Sequence, residues 1–234
     1  MLEVSELRVK YGDVVAVHKA SFRVGEGEIV AIIGSNGAGK STAVNAISGL
    51  IKIESGNIVF QGKNIEGLPS HDIVEKGLIQ IPEGRKIFPN LTVQENLRLG
   101  SYTSKAKEKR KETMERVFSL FPRLADRGRQ RAGSLSGGEQ QMLAVSRGLM
   151  SLPILLMMDE PSLGLAPMYV NQIFEIVAMI NDMGTTTLLI EQNTAHALNC
   201  CNRGYVIENG VITMNGTGER LLRDPHVVEA YLGV

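Results

Sequence analysis

Residues Gly34-Ser35-Asn36-Gly37-Ala38-Gly39-Lys40-Ser41-Thr42 match the phosphate-binding pattern G-x-x-x-x-G-K-[ST] at every fixed position, and no other stretch limits the fold so tightly. The pattern needs a strand before it and a helix after it. Ile29-Val30-Ala31-Ile32-Ile33 supplies an unbroken apolar run, as expected of a strand buried on both faces. Ala43, Ala46, Ile47 and Leu50 recur at helical spacing, so a helix is expected over Thr42 to Leu50, with Gly49 near its end. Strand, glycine-rich turn and helix start together aim a row of backbone N–H groups and the positive end of a helix dipole at an anion. Lys40 can reach the outer phosphates of a nucleoside triphosphate, and the Ser41 hydroxyl can hold Mg²⁺.

The rest of the 234-residue chain has room for one sizeable domain or a core with a subdomain. Lys+Arg and Asp+Glu are both 25, so no overall field draws the chain to nucleic acid or to an acidic membrane surface. Aromatic content of 5% with no tryptophan also argues against a base-stacking platform. Cys200 and Cys201 are adjacent, a geometry that disfavours pairing, and no zinc-like spacing exists, so reduced and partly buried thiols are expected. Met1-Leu2-Glu3-Val4 has no basic start and no long apolar run, so no signal peptide is expected, and no stretch approaches the ~20 apolar residues of a membrane span.

Along the chain, strands are expected over Leu2 to Val9 and Val14 to Val24, on either side of Tyr11-Gly12-Asp13. Tyr11 is either a half-exposed hairpin aromatic or a ring that stacks on a nucleotide base. Asn57 to Gln61 reads as a strand, Gly62-Lys63-Asn64 as a turn, Pro69 to Lys76 as a short helix, and Leu78 to Ile81 as a buried strand. From Leu91 to Met150 the pattern is nearly all helical, opened by a Thr92-x-x-Glu95 capping box. The basic run Lys105 to Lys111 reads as a solvated helix face. Ile154 to Met158 returns to a buried strand, followed by a helix over Met168 to Asn181 and a strand over Thr186 to Ile190. Arg203 to Glu208 and Val211 to Asn215 flank the hairpin signal Asn209-Gly210, and a helical tail is expected over Gly218 to Leu232. Alternating strands and helices imply a mainly parallel α/β sheet.

Two further constellations carry chemistry. The apolar strand that ends in Asp159-Glu160 is the expected partner of a phosphate loop: Asp159 to hold Mg²⁺ opposite Ser41, Glu160 to orient and deprotonate water. Leu135-Ser136-Gly137-Gly138-Glu139-Gln140-Gln141 puts glycines and a hydroxyl at a helix start, either an ordinary N-cap or a second anion-binding element. Since the chain already has a phosphate loop, the second element is expected to serve a nucleotide held by another subunit.

In that order, Gly34 to Thr42, Leu135 to Gln141 and Ile154 to Glu160 resemble the ATP-binding cassette family, with Ser136 and Asp159 a fitting 23 residues apart. The resemblance implies a P-loop NTPase core with an N-terminal antiparallel β subdomain (1–87 and 152–234) and an inserted α-helical subdomain (88–151). It implies two ATP molecules sandwiched in a head-to-tail dimer, each between the phosphate loop of one subunit and Ser136, Gly137, Gly138 and Glu139 of the other. It also makes Tyr11 the base-stacking aromatic.

Three departures from the general family pattern narrow the resemblance. Glu83 stands six residues before Pro89, where most cassettes carry a Gln. A carboxylate there can still approach Mg²⁺ or water, as a charge rather than an amide. Gln192 stands where a His usually senses the γ-phosphate; it can donate a hydrogen bond but cannot carry a proton, and His196 lies one helical turn on. Ala166 replaces an Asp often found before the proline of the loop after Glu160, here Pro167, which puts cross-talk between the two ATP sites in doubt. Pro82 to Arg85, Ser162 to Pro167 and Glu191 to Asn193 together resemble the shorter ATP-binding subunit of high-affinity branched-chain amino acid importers. That implies a sister ATPase, two permease subunits, an extracytoplasmic solute-binding protein, and a peripheral place on the cytoplasmic face of the membrane. ATPases of urea or short-amide importers, a soluble cassette protein and a weakly hydrolysing regulator are the alternatives.

Overall fold

The structure is a computed structural model and describes residues 1–233. Ile29–Ile33 (β3) is buried at every position, as its composition requires. Its side chains alternate between two cores. Val30 and Ile32 face a core with Ala43, Val44 and Ile47 of α1 (Lys40–Ile47). Ile29, Ala31 and Ile33 face a second core built from the helices on the other side. A strand buried on both faces has this two-sided allegiance because successive side chains point to opposite faces.

Six strands form the central sheet in the order β10-β9-β3-β8-β7-β6, with β6 Leu78–Ile81, β7 Leu155–Asp159, β8 Thr186–Glu191, β9 Arg203–Glu208 and β10 Val211–Gly216. All pairings are parallel except that of β10 with β9. A separate antiparallel sheet, order β2-β1-β4-β5, is made of β1 Leu2–Tyr11, β2 Val14–Val24, β4 Ser55–Phe60 and β5 Lys63–Asn64. Its inward residues Leu2, Val4, Leu7 and Phe60 join the core that holds Val30 and Ile32. After α2 (Ser70–Glu75) and β6 come α3 Val93–Gly100, α4 Ser104–Glu108, α5 Arg110–Leu120, α6 Pro122–Asp126 and α7 Gly137–Leu149. Of these, α3, α5, α6 and α7 cover the opposite face together with α8 Pro167–Asp182 and α9 Thr194–Cys200.

Several local expectations hold in atomic detail. Thr92 caps α3 by accepting from the Glu95 N–H at 3.2 Å, while Glu95 accepts from the Thr92 N–H at 2.7 Å. Asn209 and Gly210 both have positive φ, 48° and 77°, as a two-residue hairpin of the right twist demands. Within the basic run only Ala106 is buried, and the lysines point to solvent. Cys200 and Cys201 are free, and burial raises their thiol pKa values to about 12 and about 11.

Other expectations need correction. The first helix starts at Lys40, not Thr42, because Gly39 at φ 101° already turns the chain, and it ends at Ile47, before Gly49 at φ 68°. Lys63-Asn64 is a short strand paired with Val59 and Phe60 rather than part of a turn. The tail is three pieces: α10 Gly218–Leu222, α11 Pro225–Val227 and a π-helical turn Val228–Leu232. Pro225 divides it, since the residue before a proline is pushed out of the helical region, and Asp224 has ψ 126°. Among the described residues no helix is long and apolar enough to cross a membrane.

Helices α3 and α7 meet at Gly100, where an added Cβ would sit 2.2 Å from the Arg147 carbonyl oxygen. Gly100→Ala should therefore push the two helices apart and cost about 1–3 kcal/mol, read as a lower urea midpoint with an unchanged slope. An unchanged midpoint would show that the two helices separate freely.

Candidate functional site

The phosphate loop crosses from β3 to α1 with two outside supports. Gly210 of the β9–β10 hairpin donates its N–H to the Ala38 carbonyl at 2.9 Å, and its own carbonyl accepts from the His18 N–H at 2.8 Å. Gly39 needs to be glycine twice over: its φ is 101°, and a Cβ would lie 2.6 Å from the Ala16 carbonyl.

Lys40 is 4% exposed, and protein oxygens satisfy its ammonium group. Nζ donates to the carbonyls of Gly34 at 2.8 Å and Ser35 at 3.1 Å, and lies 3.2 Å from Glu160 Oε1. Strand order explains the meeting. β3 and β7 both flank β8 in parallel, so their C-terminal ends open on the same edge of the sheet. Ligand sites of open parallel sheets lie at such edges.

Ser41 Oγ donates to Asp159 Oδ1 at 3.0 Å. Asp159 is 4% exposed, and burial pushes its pKa up from 3.8 to about 6. The Ser41 hydrogen bond and Lys40 pull it down, while the Glu160 and Glu83 carboxylates add to the rise. Asp159 and Ser41 offer hard oxygen donors side by side, a set suited to Mg²⁺ together with phosphate oxygens. Among the described residues no three His, Cys, Asp or Glu side chains gather into a metal cluster by themselves. Such a cation would therefore be shared with its nucleotide.

A cavity of about 310 Å³ opens over the loop, with Asn36, Gly37, Lys40, Ser41, Glu83 and Glu160 on its wall. Glu160 has φ 46°, a strained value for a side-chain-bearing residue, and its N–H is fixed to the Ile190 carbonyl at 2.8 Å. The sequence-predicted Glu83, Ser41, Asp159 and Glu160 are thus brought together.

Other expected residues lie elsewhere. Tyr11 is 51% exposed at the end of β1 and does not line the cavity. Gln192 is exposed beyond β8 and its side chain is not on the cavity wall. His196 is committed elsewhere: its ring stacks on Phe174 at 5.1 Å, and its nitrogens lie 2.9 and 3.0 Å from the Asn193 and Asn171 side-chain oxygens. Ser136 caps α7, accepting from the Glu139 N–H at 3.3 Å, and Glu139 accepts from the Ser136 N–H at 2.9 Å. Glu139 is buried and also paired with Arg127 at 3.2 Å, so its carboxylate holds the cap. Both the N-cap reading and the exposed Ser136 turn are therefore compatible with the local geometry, and the turn does not line its own chain's cavity.

One residue of the segment 191–193 has a structural role that sequence reasoning missed. Glu191, 1% exposed, accepts from the Ser162 N–H at 2.9 Å and the Asn193 N–H at 3.1 Å, tying the loop after Glu160 to the loop that carries Gln192. Burial raises its pKa. The sequence signal for that role was an acidic residue ending an apolar strand.

The sequence model of the ABC transporter family matches residues 17–163, which take in the phosphate loop, the Ser136 turn and the Asp159-Glu160 pair. The chain belongs to the ABC transporter family. As an ABC cassette it binds ATP, and ATP hydrolysis is the activity characteristic of its fold. It is 48% identical over 233 residues to the high-affinity branched-chain amino acid transport ATP-binding protein BraG of Pseudomonas aeruginosa, covering 100% of both chains. It is 31% identical to LivG of Escherichia coli K12, a protein of the same description, over 100% of this chain and 98% of that one. The crystal structure of the ADP conformation of an ATP-binding cassette of an ABC transporter superposes with a TM-score of 0.86 at 30% identity, covering 100% of this chain and 99% of that one.

The raised pKa of Asp159 gives this cassette a pH signature. The native state holds the proton more tightly than the unfolded chain, so the buried carboxylate lowers stability as pH rises from 3.8 through about 6, and the penalty is complete above that window. In metal-free buffer Asp159→Asn should raise stability at about pH 7.5 by an amount on the order of 2 kcal/mol, read as a higher melting temperature, and the gain should shrink towards about pH 5. An equal gain at both pH values would contradict burial as the cause.

Proposed function

We propose that this chain is the ATP-hydrolysing subunit of an importer for branched-chain amino acids. The end-to-end similarity to BraG is the observation that carries this reading. The companions it implies are a sister ATPase, two permease subunits and, indirectly, an extracytoplasmic solute-binding protein. Peripheral attachment at the cytoplasmic face follows from docking on the permeases.

In this reading the N–H groups of Gly34 to Thr42 bind the phosphates, with Lys40 on the outer ones, and Tyr11 stacks on the base. Ser41 and Asp159 hold Mg²⁺, with Glu83 beside them; when bound, the ion offsets the charge that develops on the transferred phosphoryl group. Glu160 takes the proton of the attacking water. Its oxygen near Lys40 must first be released, and a phosphate oxygen takes its place on the ammonium. Ser136, Gly137 and Gly138 close over the γ-phosphate held by the sister subunit, whose own matching turn closes over the one held here, and Gln192 reports on the latter as a hydrogen-bond donor. ATP drives closure because it favours the closed dimer over the open one.

The permease has a fitting seat. An apolar groove of about 480 Å³ lies between α2, β6, α3 and α7, away from the phosphate loop. Leu50, Phe88, Leu99 and Tyr102 line it and remain exposed to solvent. A helical segment of a membrane subunit would cover such a patch.

Two measurements test the reading. Glu160→Gln should bind ATP at least as tightly as the natural chain, because Lys40 loses its fixed counter-charge, and should turn over about 10²-fold or more slowly. Wild-type turnover in an assembled complex would remove Glu160 from the mechanism. Leu99→Glu should weaken recovery of the permeases with the chain by about tenfold while leaving the KM for ATP unchanged. Undiminished recovery would place the permease elsewhere.

A further inference from the structure

The segment from Glu83 to Phe88 runs from the nucleotide cavity, which Glu83 lines, to the apolar groove, which Phe88 lines. Its backbone is unusual. Gly84, Arg85 and Lys86 are three consecutive left-handed residues, with φ of 75°, 64° and 44°. Arg85 and Lys86 carry side chains, so neighbouring contacts must hold this conformation.

Those contacts come from α7. The Arg85 guanidinium packs against Gly137 with its two terminal nitrogens: a Cβ there would fall 3.2 and 3.3 Å from them and 3.5 Å from Cζ. Arg85 Nη1 donates to Gln140 Oε1 at 3.4 Å, and Gln140 Nε2 donates to the Leu135 carbonyl at 3.1 Å. Guanidinium, Gln140 and the backbone entering the Ser136 turn thus form one connected chain. Towards the other end of α7, Arg147 Nη2 donates to the Lys86 carbonyl at 2.7 Å, and its guanidinium stands 5.3 Å from the centre of the Phe88 ring. Asn96 closes the far end, accepting from the Phe88 N–H at 2.9 Å and donating to its carbonyl at 3.0 Å. Arg85 itself does not line the phosphate-loop cavity; it lines an adjoining one with Gln140 and Glu160.

We propose that Arg85 is a positioning residue that fastens the 83–88 segment to the N-terminal turn of α7. The apolar groove and the Ser136 turn then move as one body. A two-nitrogen fork is needed, because both terminal nitrogens pack against Gly137 while one of them reaches Gln140; a lysine ammonium, with a single nitrogen, cannot do both. Gly137 therefore has a task within its own chain: a side chain there would crowd the guanidinium, which would have to give by a few tenths of an ångström. The fastening stands on contacts within this chain, and only its consequence for transport rests on the importer reading.

The test is hydrogen exchange on the full chain with ATP and Mg²⁺. In the natural chain the amides of residues 84–88 and 136–140 should gain protection together. With Arg85→Ala or Arg85→Lys, residues 84–88 should exchange about tenfold faster, while amides 34–42 and the KM for ATP stay within about twofold. Gly137→Ala, which crowds the guanidinium without removing it, should speed the same exchange to a smaller extent. In the assembled transporter, Arg85→Ala should lower the ratio of solute-stimulated to basal turnover about fivefold or more. Unchanged exchange in both Arg85 variants overturns the proposal. So does a raised KM for ATP with unchanged exchange, which would make Arg85 a nucleotide contact. If the natural chain shows the linked protection but no solute stimulation, the fastening is supported and the importer reading fails.

Discussion

A buried ammonium group needs a full set of partners, and Lys40 has them only if two distant parts of the chain arrive together. Its donors reach the carbonyls of Gly34 and Ser35 and the carboxylate of Glu160. A charge this deeply buried is costly without partners. The ends of β3 and β7 must therefore lie on the same sheet edge, with β8 between them. The same placement sets Ser41 against Asp159 and leaves Glu83 beside both. Three carboxylates then face one ammonium. Burial accounts for most of the upward shift at Asp159, the neighbouring carboxylates add to it, and the acid excess matches a site that receives its remaining positive charge along with a phosphate.

What could be read in the sequence was local. β2, β3, β6 and β9 have the bounds their apolar runs suggest, because a short strand buried on one or both faces leaves an unambiguous pattern between turn residues. Thr92/Glu95 and Asn209-Gly210 were legible because each is a self-contained hydrogen-bonding or φ requirement. The phosphate loop and the Asp159-Glu160 pair were legible for the same reason, as fixed spacings on recognisable elements. Helix ends were less so: Lys40 is chemically a ligand residue, and nothing in its own type says that it also starts α1.

The unread parts depend on contacts between residues far apart in the chain. Strand order is one, since β3 pairs with β8 and β9 but not with its sequence neighbours. Glu191 is another: its role rests on Ser162 and Asn193 N–H groups that meet only in the folded sheet. The Ser136-Gly137-Gly138 turn shows how one motif can hold two meanings. Its glycines suggest an outside anion when read in sequence, but within the chain they seat the Arg85 guanidinium and the Tyr169 ring, whose atoms would lie 2.5 Å from a Cβ on Gly138.

β3 carries a consequence of a different kind. Five residues divide their side chains between the two cores, and the strand they form leads straight into the phosphate loop. Inserting or deleting one residue there would exchange the two faces along the whole strand at once. It would set Ala31 against the antiparallel sheet and the bulkier isoleucines against the wrong helices. The two layers thus share a single reading frame, and neither can drift in sequence around β3 without the other.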